Sequence, residues 1–333
     1  MANYSDIKGT TISAVSSDPT NPIDGQVWYN STDYILKAQG ATLGPRVIAT
    51  GTSMPTAKGT SAGGGSITAA WITGGADGTT FHWDGASWTS APSLSRGSSQ
   101  TNGMGSAGLQ TSGLVWAGTN PYTNASEAYN GTSWSGTPSI PTGGSYGNGL
   151  GIQPSALSLS LYQGSPFGVC FEYNGSSWSG GGTIPNNNYS VGGCGTQTAG
   201  VCVGGEAAPN PPGGTQHQHY NGSSWTAKAS LPADRVYYGN GGVIGSQDDT
   251  YASAGSSPSS PAVGLTGEYF NGTAWTSQGT LPSLRGGASS TNAQSNGSEN
   301  GLIMAGGSPI SATVLTINPS VGAPASRDIS VAT

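Results

Sequence analysis

A short aromatic motif recurs five times along the chain, and its period limits the folds that the sequence can adopt. The copies read FHWDGASW at 81–88, EAYNGTSW at 127–134, FEYNGSSW at 171–178, HQHYNGSSW at 217–225 and EYFNGTAW at 268–275. Their terminal tryptophans are 46, 44, 47 and 50 residues apart. A period of about 40–50 residues is typical of repeat folds in which one supersecondary unit packs on the next.

The centre of each motif predicts a β-hairpin. Asn-Gly between β-forming residues favours a two-residue type I′ turn, because both central positions of that turn need φ > 0. In the second copy the turn would occupy 130–131, so that Tyr129 faces Thr132 and lies diagonal to Trp134 on one face. We expect such aromatic pairs to pack on the neighbouring unit, and we assign this structural role to Trp88, Tyr129, Trp134, Tyr173, Trp178, Tyr220, Trp225, Phe270 and Trp275.

Three further elements follow each hairpin in the same order. A proline turn ends in a basic residue, a Gly- and Ser-rich strand comes next, and an apolar strand ending in small residues completes the unit. The basic residues are Lys58, Arg96, Arg235 and Arg285. Because small residues suit crowding around an axis, we predict that the apolar strands are innermost. There are six of them, at 69–75, 114–119, 157–164, 200–205, 250–255 and 301–307.

Six apolar strands and only five hairpins leave one hairpin to be completed from both ends of the chain. The β-branched run 312–317 is placed like a first hairpin strand, and 46–50 has the spacing of its partner before the turn at Pro55. We predict an all-β fold, a six-bladed kelch-like β-propeller over residues 45–320, closed by pairing of these two strands. Closure hides sheet edges. An open stack of blades is the alternative.

The segments outside the predicted ring are short. Residues 1–44 are too few for a substantial core of their own, and 27–29 with 34–37 predict a separate hairpin around 30–33. We expect this small N-terminal β extension to attach to another protein or to trimerise. Residues 321–333 form a C-terminal tail.

Composition excludes several classes of function. The net charge of −6, with nine basic residues, disfavours nucleic-acid binding and docking on an anionic membrane. No apolar core for a signal peptide follows Met1, and no stretch is long and apolar enough to span a membrane. Cys170, Cys194 and Cys202 follow no metal-binding spacing, so we expect small buried apolar residues that suit the cytosol of a producing cell.

The repeated YNGTSW, the LPxxR turns and the strands ending in Gly-Gly resemble the kelch-like repeats of marine phage proteins. The leader DPTNPIDGQVWYNSTDYILKA resembles the opening segment of phage tail-fibre and related virion proteins. The resemblance implies a virion protein, made in the host cytoplasm, whose residues 1–44 contact other virion proteins. A fibre-like leader also suggests a homotrimer. Two units depart from the pattern, with Gly144 and Asn188 at the basic position.

Two groups of residues are candidates for binding. Lys58, Arg96, Arg235 and Arg285 fall on one ring and suit anionic sugar or phosphate groups. We favour the alternative that they hydrogen-bond carbonyls or the hairpin acids Glu127, Glu172 and Glu268, because repeated residues usually maintain the unit. A ligand is better served by loops that break the repeat, chiefly 206–216 and 256–267. Candidate residues in such loops are Asn120, Tyr122, Asn210 and Gln216.

Metal and catalytic sites have little support. His217 and His219 alternate along one strand and form a weak metal candidate, but no third ligand is evident, so we predict no metal and no cofactor. Asp248-Asp249 is the one candidate acid pair for a glycosidase, and no triad is evident. We therefore predict a non-enzymatic tail or surface appendage that recognises a host glycan. The alternatives are a purely structural tail or capsid component and a polysaccharide hydrolase.

Overall fold

The regular elements of the protein are β strands in the part of the chain that the computed structural model describes. That part comprises residues 12–19, 27–32, 34–40, 43–75, 77–119, 121–163, 166–185, 188–207, 214–236, 242–253, 255, 265–283, 288–291, 301–304, 306, 311–321 and 325–328. No helix that is long and apolar enough to cross a membrane occurs among these residues.

Residues 46–318 form one unit built from six four-stranded antiparallel blades. Blade 1 contains β5 (Ser61–Ser66), β6 (Ala69–Gly74), β7 (Thr80–Trp83) and β8 (Trp88–Ala91), and blade 2 contains β9 (Gly105–Leu109), β10 (Ser112–Trp116), β11 (Ser126–Tyr129) and β12 (Trp134–Thr137). Blade 3 contains β13 (Asn148–Ile152), β14 (Ser155–Leu159), β17 (Val169–Tyr173) and β18 (Trp178–Thr183). Blade 4 contains β20 (Gly192–Thr196), β21 (Ala199–Val203), β23 (His217–Tyr220) and β24 (Trp225–Ala227), and blade 5 contains β25 (Val243–Ser246), β26 (Asp249–Ala252), β27 (Thr266–Phe270) and β28 (Trp275–Thr280).

The last blade takes strands from both ends of the ring sequence. Its order is β29 (Ser289–Ser290), β30 (Gly301–Met304), β31 (Val314–Val321) and β4 (Leu43–Thr50). Two further hydrogen bonds join the segments of β31 and β4. The Gly51 amide donates to the Val314 carbonyl at 2.8 Å, and the Thr316 hydroxyl donates to the Ala49 carbonyl at 3.3 Å. The predicted closure is therefore confirmed, and the fold is a six-bladed β-propeller.

The Gly- and Ser-rich strand of each blade lies at the axis. The first strands of successive blades contact one another around the ring, from β5 to β9, β13, β20 and β25, and β29 contacts β5 again. A Cβ atom added to Gly64 would lie 2.6 Å from the Gly108 carbonyl oxygen, and one added to Gly149 would lie 2.5 Å from that of Ser106. Our prediction that the apolar strands are innermost is wrong, because the axis is too crowded for them and they form the second strand instead.

The hairpin turns are wider than the predicted type I′ turn. In blade 2, Tyr129 lies directly opposite Trp134, with four residues between them. The Asn130 amide donates to the Ser133 carbonyl at 3.2 Å, and the Asn130 side-chain oxygen accepts the amides of Thr132 and Ser133 at 2.9 and 2.8 Å. The side-chain oxygen thus satisfies two backbone amides of the four-residue loop. A two-residue turn would not contain these amides. The same arrangement recurs at Asp84, Asn174, Asn221 and Asn271.

The hairpin tryptophans contact the preceding blade, as expected from the repeat. The Trp134 ring lies edge-on to Trp71 with centroids 5.6 Å apart, and Trp178 lies edge-on to Trp116 at 5.2 Å. Three indole N–H groups also donate to carbonyls of the preceding blade, in the pairs Trp88–Thr52, Trp178–Pro138 and Trp275–Ala229. These hairpins therefore join neighbouring blades by apolar packing, and three of them add a hydrogen bond, whereas the buried indole N–H groups of Trp134 and Trp225 have no hydrogen-bond partner among the described residues.

The remaining short strands lie in loops of the ring or in a second unit. The loop pairs are β15 (Leu161–Tyr162) with β16 (Pro166–Phe167), and β19 (Asn188–Tyr189) with β22 (Glu206–Ala207). The second unit comprises residues 1–45 and 319–333, and its sheet order is β1 (Ser13–Val15), β2 (Val27–Asn30), β3 (Ile35–Gly40) and β32 (Ala325–Asp328). The predicted N-terminal hairpin corresponds to β2 and β3, and part of the segment predicted as a tail pairs with β3.

One side chain organises the second unit. Asp18 accepts hydrogen bonds from the Trp28 indole at 3.0 Å, from the Asn30 amide at 2.8 Å and from the Lys37 ammonium at 2.9 Å. The hydrogen bond from Lys37, followed by those from Trp28 and Asn30, lowers the pKa of Asp18 to about 2. The acidic residue of the leader motif thus fixes the fully buried Trp28 within this sheet.

A glutamine that the sequence analysis missed links adjacent blades. In the turn between β13 and β14, the Gln153 amide donates to the carbonyls of Gly113 and Tyr129 of the preceding blade, at 3.1 and 3.0 Å. Gln110, Gln197 and Gln247 make the equivalent pairs of bonds. Each follows by two positions a glycine with positive φ, which is +89° at Gly151. The signal available in the sequence was therefore a repeated Gly-x-Gln.

Replacing Gln153 with Leu removes both hydrogen bonds and leaves two carbonyl groups without a donor. We expect the free energy of unfolding to fall by about 1–3 kcal/mol, measured by chemical denaturation. Gln163→Leu, at an exposed position of the same blade, is the matched control and should change it by less than about 0.5 kcal/mol. Equal losses in the two variants would contradict the linking role of Gln153.

Candidate functional site

One end of the ring carries those residues nominated for binding by the sequence that the structure describes, namely Lys58, Arg96, Tyr122, Gln216 and Arg235. Because consecutive strands of a blade are antiparallel, the connections from second to third strand and from blade to blade fall at the same end, and the hairpin turns fall at the other. The proline turns and the loops that break the repeat are such connections. The structure therefore gathers these candidates on one face of the propeller.

The predicted basic residue of blade 2 is committed to an ion pair. The Arg96 Nε group lies 2.6 Å from Glu127, and its other nitrogens donate to the carbonyls of Ala117 and Ala125 at 3.0 and 3.3 Å. Glu127 also accepts the amide and hydroxyl of Ser95. Burial alone would raise the pKa of Glu127, but the hydrogen bonds from Ser95 and Arg96 outweigh it and lower that pKa. Arg96 thus anchors the proline turn to the hairpin.

The equivalent residues of two other blades are held in the same way. Arg235 donates to the Thr266 carbonyl and hydroxyl at 2.7 and 2.8 Å and lies 3.4 Å from Glu268. The Lys58 ammonium lies 2.7 Å from Asp77 and also bonds a carbonyl and a hydroxyl. Both basic side chains are buried. In these blades the positive charge of the side chain bonds neighbouring protein groups and is not exposed to solvent.

Three tyrosines that do not belong to the repeat meet on the same face. The ring centroids of Tyr162 and Tyr189 are 4.6 Å apart, and Tyr146 lies 6.3 Å from each. Tyr146 comes from the connection into blade 3, Tyr162 from the loop of blade 3, and Tyr189 from the connection into blade 4. We call this group, together with the nearby Tyr122, the tyrosine face.

Tyr146 has an unusual backbone conformation. Its φ is +53°, in the left-handed region that bulky residues rarely adopt. The corresponding residue of the preceding blade is Gly103, with φ +64°, and the amide of Ser190 in the next blade donates to the Tyr146 carbonyl at 3.2 Å. A large aromatic side chain therefore occupies a position that would accept glycine more easily. Thr60 and Ser190, at the equivalent positions of two other blades, have φ +49° and +55°, so the left-handed conformation belongs to the repeat and Tyr146 differs only in its large side chain.

An open cleft of about 350 Å³ lies beside the tyrosine face. It is lined by Thr60, Asn102, Thr119, Tyr122, Ser145 and Tyr146. Tyr122 and Tyr146 are 41% and 37% exposed. The volume is within the ~300–1,000 Å³ range of small-molecule sites, but the lining is more polar than usual. The cleft therefore suits a ligand that is rich in hydroxyl groups.

The hydroxyl groups distinguish the tyrosine face from the tyrosines of the core. Core hydroxyls have fixed partners, in the pairs Tyr129–Gly131, Tyr173–Gly175, Tyr220–Glu172 and Tyr251–Gln278. Among the described residues, the hydroxyls of Tyr122, Tyr146 and Tyr162 form no hydrogen bond. The exposed rings of Tyr122 and Tyr146 and their hydroxyls are therefore available to a ligand.

Of the loop residues predicted to bind besides Tyr122, the structure describes only Gln216, which does not join this site. Gln216 is buried and donates to the Gly204 carbonyl at 2.7 Å, so it stabilises its own loop. Asn120, Asn210 and Arg285 lie outside the described residues. Sequence reasoning found Tyr122 and missed the three other tyrosines of the face, although each of them departs from the residue that neighbouring repeats have at that position.

Comparison with known proteins supports the fold. No protein-family model matches the sequence, and no curated protein matches it either. The solved structure titled "Structure of YjhT" superposes with a TM-score of 0.64 at 14% sequence identity, covering 83% of this chain and 99% of that chain. At this identity the likeness concerns the fold alone.

The two histidines of β23 form a closed pair. The Nδ1 atom of His217 lies 3.1 Å from the Ala229 carbonyl, which can only accept, so this nitrogen carries the proton. The His217 Nε2 atom then accepts from His219 Nε2 at 2.9 Å. Both rings pack against Phe270, and His217 also packs against Trp275. No group of three potential His, Cys, Asp or Glu metal ligands occurs in the described part of the chain.

Residues with catalytic potential elsewhere have structural surroundings. Burial raises the pKa of the Cys170 and Cys194 thiols to about 12, which keeps them protonated and unreactive. Asp249 lies 3.5 Å from Arg46, while Asp248 is exposed. Both aspartates follow the turn after β25, at the end of the ring opposite the tyrosine face.

Glycine and alanine at position 146 should have the reverse of their usual order of stability. Both variants lack the ring, but only glycine adopts φ +53° without strain. The free energy of unfolding of Tyr146→Gly should therefore be about 1 kcal/mol larger than that of Tyr146→Ala. Tyr162 is outside the left-handed region, and there alanine should be the more stable. Denaturant titration of the four variants measures this, and the same order at both positions would contradict it.

The histidine pair predicts a loss of stability in mild acid. Burial is the main reason that the pKa falls from 6.5 to about 3 for His217 and to about 4 for His219. The folded state keeps both neutral while the unfolded state binds protons below pH 6.5. Stability should therefore fall as pH decreases from about 6.5 to 4.5, by up to about 1.4 kcal/mol per pH unit for each histidine.

Chemical denaturation across this pH range, with the parent protein and a His217→Gln/His219→Gln variant, measures the effect. The variant should lose less stability over the same range. Paired carboxylates such as Glu127, whose pKa is lowered, contribute only at lower pH. Identical pH dependence in the two proteins would overturn the assignment to the pair.

Proposed function

We propose that this protein is a non-enzymatic component of a phage particle that presents its tyrosine face to a glycan on the host surface. The observation that carries the proposal is the group of exposed tyrosines beside an open polar cleft. Tyrosine offers a flat ring for apolar contact and a hydroxyl for hydrogen bonding, which are the two properties that sugar recognition needs.

The distribution of residues around the ring supports a binding role. Residues that recur in most blades, such as the hairpin tryptophans and the paired basic residues, are used in packing and internal bonds. The tyrosines of the face occur once each, in connections and loops. Since repeated residues maintain the unit, the residues that break the repeat are the ones free to serve a ligand.

The assignment to a phage particle depends on the sequence resemblance. The hairpin motif and the leader resemble phage virion proteins, and the leader belongs to a unit separate from the ring. In the proposal, residues 1–44 attach to other tail proteins, as a homotrimer in the manner of fibre leaders. The propeller is then the part that meets the host.

A binding role also agrees with the placement of the acidic residues. A glycosidase needs two carboxylates on either side of a bound sugar. The one candidate pair, Asp248 and Asp249, lies at the opposite end of the ring from the cleft, and Asp249 is engaged by Arg46. This pair therefore does not face the cleft, and Glu206, opposite Tyr189, has no second carboxylate across the cleft among the described residues that line it.

The proposal predicts that the purified full-length protein blocks adsorption of its phage to host cells. A Tyr146→Gly/Tyr189→Ala variant should lose most of this block, because it removes two rings from the platform. Tyr34→Ala is the matched control, since Tyr34 is 79% exposed but belongs to the other unit, and it should block as well as the parent.

Thermal melting of each variant verifies that the fold is retained. No block by the parent protein would contradict the proposal. If deletion of the gene also prevented particle assembly, the purely structural alternative would replace it. Shortening of soluble host polysaccharide by the protein would instead favour a hydrolase.

A further inference from the structure

We infer that the ligand of the tyrosine face is an uncharged saccharide, held by apolar contact of its pyranose rings with the tyrosines and by hydrogen bonds in the cleft. This inference deepens the proposed function and rests on it. It excludes uronates, sialylated sugars and sulfated sugars as the preferred ligand. The charge of the face, the geometry of its rings and its hydroxyl groups without a partner support an uncharged ligand.

Three of the four basic residues predicted for this face, the ones that the structure describes, are not available to an acidic sugar. The side chains of Lys58, Arg96 and Arg235 are only 1%, 9% and 0% exposed, and each bonds an internal carboxylate. None of the residues that line the cleft is charged. A sugar carboxylate or sulfate placed there would lose its hydration without gaining an ionic partner, which is unfavourable.

A carboxylate lies next to the tyrosine face. Glu206 lies directly opposite Tyr189 in the β19–β22 pair and is partly exposed. The chain as a whole carries −6. The Glu206 carboxylate would repel an anionic glycan and leave a neutral one unaffected.

The arrangement of the rings favours a ligand that lies across them. The Tyr162 and Tyr189 rings are 4.6 Å apart and inclined by 33°, so they pack on each other and leave no slot between them. A flat group cannot insert, as a nucleobase or a cation in an aromatic cage would. The C–H groups of a pyranose ring can instead pack against the outward side of this stacked pair.

Exposed hydroxyl groups supply hydrogen bonds to a saccharide in the cleft. Tyr122 and Tyr146 line it, are 41% and 37% exposed, and their hydroxyls form no hydrogen bond among the described residues. A ligand hydroxyl can bond each of them without displacing an internal partner. The Ser145 Oγ atom in the cleft wall also has no partner among the described residues, but it is buried from solvent and does not meet a ligand in this conformation.

Calorimetric titration of the full-length protein tests the inference with two panels of probes. The neutral panel contains cello-, manno- and laminari-oligosaccharides, and the acidic panel contains alginate and polygalacturonate oligomers of similar length. We expect binding in the neutral panel, with an affinity that does not change between low and high salt, and no measurable binding in the acidic panel. Preference for the acidic panel, or binding suppressed by salt, would overturn the inference while leaving the proposed function intact.

Variants locate the site. Tyr189→Ala and Tyr146→Gly should each weaken binding of the neutral oligosaccharide by about tenfold, whereas Tyr34→Ala should leave it unchanged. Tyr146→Phe keeps the ring and should lose less affinity than Tyr146→Gly. Unchanged affinity in Tyr189→Ala would overturn the assignment to this face.

The two failures are distinguishable. A parent protein that blocks adsorption but binds neither panel would overturn the saccharide class alone. A protein that neither blocks adsorption nor binds either panel would overturn the proposed function together with it.

Discussion

The structure depends on how closely six inner strands can approach one axis. Glycine at the contact positions lets the backbone of one blade touch that of the next, as at Gly64 against Gly108. Further from the axis the blades diverge, and the space between them is filled by the hairpin tryptophans packed on their neighbours. Small residues inside and large aromatics outside produce the wedge shape of each blade. This explains how a chain with little aliphatic content and 57 glycines forms a stable ring.

The same construction separates the scaffold from the site. Three kinds of contact recur in several blades: the ion pairs of the proline turns, the hydrogen bonds of the glutamines and the packing of the hairpin rings. They pair residues of the scaffold with one another. The tyrosine face is built from connections and loops between the strands, and Tyr146 places a large ring where the preceding blade has glycine. The repeat thereby supplies stability, and its exceptions form the surface that we propose for recognition.

The repeat, the six blades and the closure could be predicted from the sequence, because the Trp period and the offset from Trp to Pro fix them. The turn was predicted too short, because dipeptide preference ignores what the Asn130 side chain accepts. The axis was assigned to the wrong strand, because apolar residues indicate burial but do not say which buried layer they occupy. The tyrosine cluster was missed because Tyr146, Tyr162 and Tyr189 come from separate loops, and only the rotation between blades brings their rings together.

The blade completed by β4 and β31 has a consequence for biosynthesis. Its outer strand leaves the ribosome at the beginning of the ring sequence, and the strand that must pair with it leaves after all the other blades. Until then the growing chain carries two unpaired strand edges, which are sites of misassembly. Such a long-range pairing also slows folding. A prematurely terminated product therefore stays open at this seam and is recognisable to proteases, so that only full-length chains persist.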